Sequence, residues 1–267
     1  MDTAVTVGCI GCGSMGSALV RAFVKKISAN TITVSARRYE HARALAEETG
    51  CRAVQTNAEV AARSRYLFLA VKPAVVADVL ADIKNDIPEH HVVISLAAGV
   101  SLEQLRSLTH NPVVRIMPNM AAVVAEGMTA ICFSDTLSAD DRANIVELLA
   151  AAGKTDVVDE RLFDCVTAVS GSGIAYVCLF IEALADAAVR YGMTRAQAYA
   201  YAVETVQGTA ELLRQTKRHP ADLKDAVCSP GGTTIAAVAA LEKAGFRAAI
   251  GDAVTAAYIA SGAPQKQ

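Results

Sequence analysis

Hydrophobic residues fall into two regimes along this chain. Up to about residue 158 they form short continuous blocks: 5–10 (VTVGCI), 31–35 (TITVS), 51–54, 66–71 (YLFLAV), 91–96 (HVVISL), 112–117 (PVVRIM), 128–133 and 155–158. Continuous rather than alternating blocks are the mark of parallel strands covered on both faces. Helical patterns fill the gaps. One follows the first block, and one runs through EHARALAEE. A short helix over 57–62 has Asn57 at its N-cap, and Lys72-Pro73 opens another. Ser101 and Gln104 form a capping box, and a further helix covers about 138–152. Such alternation predicts a doubly wound α/β domain with a mainly parallel sheet. From residue 160 no strand pattern remains. Alanine-rich helical segments follow at about 162–191, 195–217, 220–227, 233–244 and 246–261. The expected division is a nucleotide-binding domain over 1–159 and an all-helical domain over 160–267.

Composition narrows the class. Of 267 residues, 53% are hydrophobic, which supplies a full core. A net charge of −2 leaves no footprint for a polyanion, so nucleic acid is not expected as a partner. The most apolar region, 174–189, is interrupted by Glu182 and Asp186. It reads as a helix buried between neighbours, either within the chain or between subunits, and not as a membrane span. No charged leader precedes the first apolar block, so a cytoplasmic, soluble homo-oligomer is the expectation. Seven cysteines, an odd number in a chain of this size, read as reduced thiols. Cys9 and Cys12 form C-x-x-C, the spacing of a redox pair or half a zinc site. There is no second pair and no H-x₃₋₅-H, and the pair straddles a glycine turn, so a core thiol and a loop thiol are expected, with no metal.

The chemistry begins in that turn. Gly11-Cys12-Gly13-Ser14-Met15-Gly16 is G-x-G-x-x-G between a strand and a helix, the setting in which the motif binds a dinucleotide. Gly11 permits the turn, Gly13 admits the pyrophosphate, and Gly16 lets the helix approach the sheet. The helix N-terminus offers free N–H groups to the phosphates and is expected to lower the pKa of Cys12. About twenty residues on, an NAD site would carry an acidic residue. Here stands Ser35-Ala36-Arg37-Arg38, which suits the 2′-phosphate of NADPH, with NADH the alternative. Lys72 and its neighbours, and the small residues Ala97-Ala98-Gly99, lie at the ends of later strands, where a dinucleotide would pass. In the helical half, Ser170-Gly171-Ser172-Gly173 is a flexible break. Ser229-Pro230-Gly231-Gly232-Thr233-Thr234 precedes a helix carrying Ile235, Val238 and Leu241. This second glycine loop is either a cradle for a carboxylate or a capped turn.

Together these pieces resemble the pyrroline-5-carboxylate reductase family along essentially the whole chain. The matching strings are GCGSMG (11–16), AVKP (70–73), AAGVS (97–101), RIMPN (115–119), SGSG-x-AY (170–176) and, most distinctively, SPGGTT (229–234). The resemblance implies a Rossmann domain followed by helices that interlock with a partner subunit as a homodimer, which in many members assembles into a ring of dimers. It implies NAD(P)H-dependent reduction of 1-pyrroline-5-carboxylate to L-proline, the final step of proline biosynthesis. It places cofactor contacts at Gly11, Cys12, Gly13, Ser14, Met15, Ser35, Asn57, Ala70, Val71, Lys72, Pro73, Ala97 and Ala98, to which the residue chemistry adds Arg37 and Arg38. Substrate contacts fall on Glu160, Ser229, Gly231, Gly232, Thr233 and Thr234, with the Thr234 hydroxyl near the ring nitrogen as the catalytic group.

Two positions depart from the family pattern: Ile174 stands where proline is common, and Arg37-Arg38 occupies a variable segment. None of the five histidines lies in a motif, as expected if hydride passes directly to an electrophilic imine and the protein mainly orients. A β-hydroxyacid dehydrogenase is the alternative enzyme, but its lysine, four residues beyond a glycine break, would fall on Val177. A non-catalytic NADP-binding scaffold is the alternative outside enzymes.

Overall fold

The computed structural model describes residues 5–262. Eight strands form one sheet: β1 (Val7–Ile10), β2 (Ile32–Ser35), β3 (Arg52–Ala53), β4 (Tyr66–Leu69), β5 (Val92–Ser95), β6 (Val113–Met117), β7 (Gly127–Phe133) and β8 (Gly153–Val157). Their spatial order is β3-β2-β1-β4-β5-β6-β7-β8, parallel except where β7 runs antiparallel to β6. All eight expected blocks are strands, most of them a residue or two shorter at the ends. β4 stops at Leu69 because the chain must turn before Lys72-Pro73.

Helices α1 (Ser14–Phe23), α2 (Tyr39–Thr49), α3 (Asn57–Arg63), α4 (Val76–Ile83), α5 (Leu102–Leu108) and α6 (Ala139–Leu149) cover both faces. The continuous strand blocks divide by parity between them. Tyr66 and Phe68 join Leu19, Phe23, Leu45, Ile145 and Leu149 in one core beside α1, α2 and α6. Leu67 and Leu69 join Val60, Leu80, Ile83 and Leu105 in the other, beside α3, α4 and α5. Each such fully buried side chain stabilises by about 1.5–3 kcal/mol. The Ser101–Gln104 capping box forms as expected. At α3 the cap lies one residue earlier than expected: Thr56 accepts from the Glu59 amide, and Glu59 returns the bond. That frees the Asn57 side chain, whose Oδ1 accepts from Ser35 Oγ at 2.7 Å.

Beyond β8 the chain is helical. Two compact units emerge, one of residues 5–171 with 258–262 and one of 172–257. Helix α7 (Phe163–Val166), with Phe163 buried, and the residues after it, with Ala168 buried, stay in the first unit. The expected break at 170–173 is instead a single π-helical turn, Thr167–Gly171, that leads into α8 (Gly173–Arg190). The extra residue in that turn takes up the Ser/Gly segment without ending the helical run. The second unit continues with α9 (Arg195–Thr216), α10 (Pro220–Ala226), α11 (Thr233–Lys243) and most of α12 (Phe246–Ala260). Among its described residues only Ala185, Ala198 and Ala202 are buried hydrophobics, whereas Leu179, Phe180, Tyr201, Leu241 and Ile250 are exposed. A helical unit so short of core needs another surface to cover it.

Candidate active site

The glycine turn has the geometry its sequence implies. Gly11 adopts φ +105°, and a Cβ there would lie 2.4 Å from the Ala70 carbonyl oxygen. A Cβ on Gly16 would lie 2.0 Å from the Gly11 carbonyl oxygen and 2.9 Å from Ala70 Cβ, so α1 sits on the β1–β4 edge as only glycine allows. A Cβ on Gly13 would meet nothing within 4 Å. The space it would fill is open, above an α1 N-terminus with no side-chain cap and no acidic residue in its first turn. Those free N–H groups and that open approach fit a pyrophosphate. β1 is flanked by β2 and β4, so the turn opens at the switch point of the sheet.

Around it, the carboxyl ends of β2, β4 and β5 bring the other expected residues to the same edge. Ser35 is 1% exposed, its carbonyl accepts the Gly11 amide at 2.8 Å, and its hydroxyl is given to Asn57. Ser35 and Asn57 thus brace the turn, while Arg37 and Arg38 stand exposed beyond them. Arg38 pairs with His41 Nε2 at 2.7 Å, and Arg37 makes no hydrogen bond or ion pair among the described residues. Lys72 and Pro73 are exposed, with Pro73 in the first helical turn after β4, and Ala70 and Val71 are half-buried before them. Ala97 is buried, its amide bonded to Ser95 Oγ, and Ala98 is exposed beside Gly99 at φ +73°.

Cys12 departs from its expected chemistry. Its Sγ turns back toward the Ser35 carbonyl at 3.4 Å, and burial, with Cys51 nearby, pushes its pKa up to about 12. Desolvation outweighs the helix N-terminus, so Cys12 is a thiol and not an activated thiolate. Cys9 is raised too, by burial first and then by Cys12 and Cys51. All seven cysteines are free, and no cluster among the described residues could hold a metal ion.

Glu160 sits in a network that the sequence did not disclose. Its Oε1 accepts the Leu102 amide at 2.7 Å and Arg115 Nη1 at 2.9 Å. The signal was a single cation inside an apolar strand block, PVVRIM, because such a residue must find a partner when the strand is buried.

In the second unit, the 229–234 loop holds Gly231 at φ +69° and bonds the Gly232 amide to the Ser229 carbonyl. A Cβ on Gly232 would lie 2.3 Å from Ser229 Oγ. Gly232 is the N-cap of α11 and provides no side-chain bond. The Thr233 and Thr234 hydroxyls have no hydrogen-bond partner among the described residues. The loop is therefore an uncapped helix start with two free hydroxyls, not a capped turn, and can accept an anion.

Residues 160–263 match the family model described as pyrroline-5-carboxylate reductase dimerisation, and residues 6–99 that described as NADP oxidoreductase, coenzyme F420-dependent. The pyrroline-5-carboxylate reductase of Escherichia coli (strain K12) is 42% identical over 253 residues, 93% of this chain and 94% of that one. The chain belongs to the pyrroline-5-carboxylate reductase family. The Synechocystis reductase is 44% identical over 95% of this chain and 96% of its own. Among solved structures, the Coxiella burnetii reductase superposes with a TM-score of 0.90 at 30% identity, over 97% of this chain and 98% of its own. The Plasmodium falciparum enzyme, solved with NADP bound, gives 0.88 at 29% identity, over 96% and 97%. Mycobacterium tuberculosis 3-hydroxyisobutyrate dehydrogenase gives 0.52 at 14% identity over 68% of this chain and 65% of its own, a likeness of fold alone.

Membership in the reductase family also accounts for the bare helices. By length and composition the run Glu160–Arg190 could cross a membrane, an 18-residue stretch within it having a mean hydropathy of 1.7. It lies within the region that matches the dimerisation model, in keeping with a chain that forms a homo-oligomer.

Proposed function

We propose that this chain reduces 1-pyrroline-5-carboxylate to L-proline, the last step of proline biosynthesis, with NADPH preferred over NADH. The observation that carries the reading is the 229–234 loop, whose free α11 amides and unpartnered Thr233 and Thr234 hydroxyls suit a small cyclic imino acid. Amides of Gly231 and Thr233 receive the substrate carboxylate, Ser229 shapes the loop by accepting the Gly232 amide and so seats Gly232 against the substrate, and the Thr234 hydroxyl bonds the ring nitrogen. The Glu160 carboxylate lies near the substrate and favours the protonated, electrophilic imine. The dinucleotide is held by Gly11–Met15, braced by Ser35 and Asn57, and by Ala70–Pro73, Ala97 and Ala98. Arg37 and Arg38 take the 2′-phosphate. When bound, the reduced nicotinamide supplies a hydride to the imine carbon. No residue need act as a strong base.

The functional boundary lies between Asp159 and Glu160, the working unit is a homodimer that can build rings of dimers, and the compartment is the cytoplasm. Replacing Thr234 by alanine tests the reading: kcat/KM for pyrroline-5-carboxylate falls about 100-fold through loss of a transition-state hydrogen bond, while NADPH affinity by fluorescence titration stays unchanged. Undiminished turnover removes Thr234 from catalysis. NADPH binding without turnover by the wild-type chain would establish the scaffold reading instead.

A further inference from the structure

Arg115 lies in the middle of β6, in register with Ser95 at the end of β5 and with Cys132 on β7. Its side chain is 7% exposed, and its guanidinium stacks over the Phe163 ring at 4.6 Å. Nη1 reaches Glu160 at 2.9 Å, but Nε is buried without a hydrogen-bond partner among the described residues. As a stabilising device this is a poor choice, because an apolar residue would fill the site without desolvating a charge or stranding a donor. What the pair does hold is the segment between β5 and α5. That segment leaves the sheet at Ser95, whose Oγ accepts the Ala97 amide at 3.2 Å. It then passes through exposed Ala98 and Gly99 and enters α5 at Leu102, whose amide is bonded to Glu160 Oε1 at 2.7 Å. The Ser101 cap serves the Gln104 amide, so it is Glu160 that accepts the Leu102 amide, while the Leu102 side chain packs into the core beside α3, α4 and α5. Both donors meet on the same oxygen, and removing Arg115 leaves Glu160 without its ion-pair partner at the foot of the segment.

We infer that Arg115 is a positioning residue: through Glu160 it fixes residues 96–102, and thereby the part of the dinucleotide that lies against Ala97 and Ala98. The inference rests on the proposed placement of the cofactor at those residues. It predicts an effect transmitted along a chain of two hydrogen bonds, from a side chain that itself touches neither cofactor nor substrate.

The test compares Arg115→Met, of similar reach without charge, with Arg115→Lys, which keeps the cation. In Arg115→Met, kcat falls about 10- to 100-fold, as a small misplacement of reacting groups produces. NADPH binds several-fold more weakly, and amide exchange at Leu102 accelerates while exchange in β4 is unchanged. Arg115→Lys recovers most of each loss. In an Glu160→Gln background the Arg115→Met step costs much less, since the two residues act as one unit. The inference is overturned if Arg115→Met lowers the melting temperature but leaves kcat, NADPH affinity and Leu102 exchange as in the wild type. It is equally overturned if lysine fails to rescue a folded variant. A wild-type chain inactive on pyrroline-5-carboxylate would sink the proposed reaction but not the positioning role, which NADPH affinity and Leu102 exchange decide without turnover.

Discussion

At Gly13 and Gly16 the same amino acid serves two different ends. The Gly16 position has no room, with backbone 2.0 Å from where a Cβ would lie, whereas the Gly13 position is open. Gly16→Ala therefore overpacks the α1–sheet contact and costs about 1–3 kcal/mol or more, because the obstructing atoms are backbone. Gly13→Ala leaves thermal stability near wild type and weakens NADPH binding by filling the pyrophosphate approach. Melting curves and fluorescence titrations on the two variants check both halves. Arg37 and Arg38 carry a separate prediction. Changing both to alanine raises KM for NADPH about tenfold or more, the worth of a charge-assisted phosphate contact, with KM for NADH nearly unchanged. Equal effects on both cofactors would show that the pair only supports α2. Cys12 shows the limit of reasoning from a motif. Its neighbours in sequence point to an activated thiolate, and its neighbours in space half-bury it and raise its pKa.

The elements divide into those satisfied within the chain and those that are not. Strands β1, β4, β5 and β6 have every residue buried, and their helices have matching apolar stripes. Helix α8 has one buried hydrophobic residue in eighteen, and its Leu179 is 67% exposed. That surface lies in a region that matches a dimerisation model, and a substitution at Leu179 tests whether a partner subunit covers it. Leu179→Glu places a charge there and shifts the mass measured by light scattering toward the monomer, with turnover falling in parallel. An unchanged mass would put Leu179 outside the interface. The π-helical turn before α8 belongs to the same scale. Ser and Gly residues suggested a break, but five residues in a wider turn keep the helix running.

Across the whole first unit, two groups tie stability to pH in the same direction. His91 is held below its ordinary 6.5 by burial and by Arg65. Asp141 is held below its ordinary 3.8: burial works against this, but hydrogen bonds from Ser138, Arg65 and Tyr66 prevail. Both groups bind fewer protons folded than unfolded. Their contribution is complete above the unfolded pKa and is lost as pH falls, first through His91 and then through Asp141. The melting temperature should therefore decline below about pH 6.5 and drop again below about pH 4; a flat profile from pH 8 to pH 4 would contradict this. Asp141→Ala leaves the buried Tyr66 hydroxyl without its acceptor and removes one partner of the half-buried Arg65, and costs about 1–3 kcal/mol.

Much of this architecture is determined by the sequence alone. Continuous apolar blocks bounded by turn signals and alternating with helical patterns point to a mainly parallel sheet between helices, although the reversed direction of β7 is not written in its block, and the glycine turn and the SPGGTT loop declare their backbone demands in their residues. The family, the two-part order and the nicotinamide chemistry follow from those local signals. Tertiary structure decided the rest. Which residues become buried neighbours depends on how strands are ordered in space, so the pairing of Arg115 with Glu160, of Ser35 with Asn57 and of Asp141 with Arg65 and Tyr66, each more than twenty residues apart, is invisible to periodicity. The same holds for charge state. Helix position suggests a low pKa for Cys12, but desolvation is a property of everything packed around it, and only the folded chain shows which influence prevails.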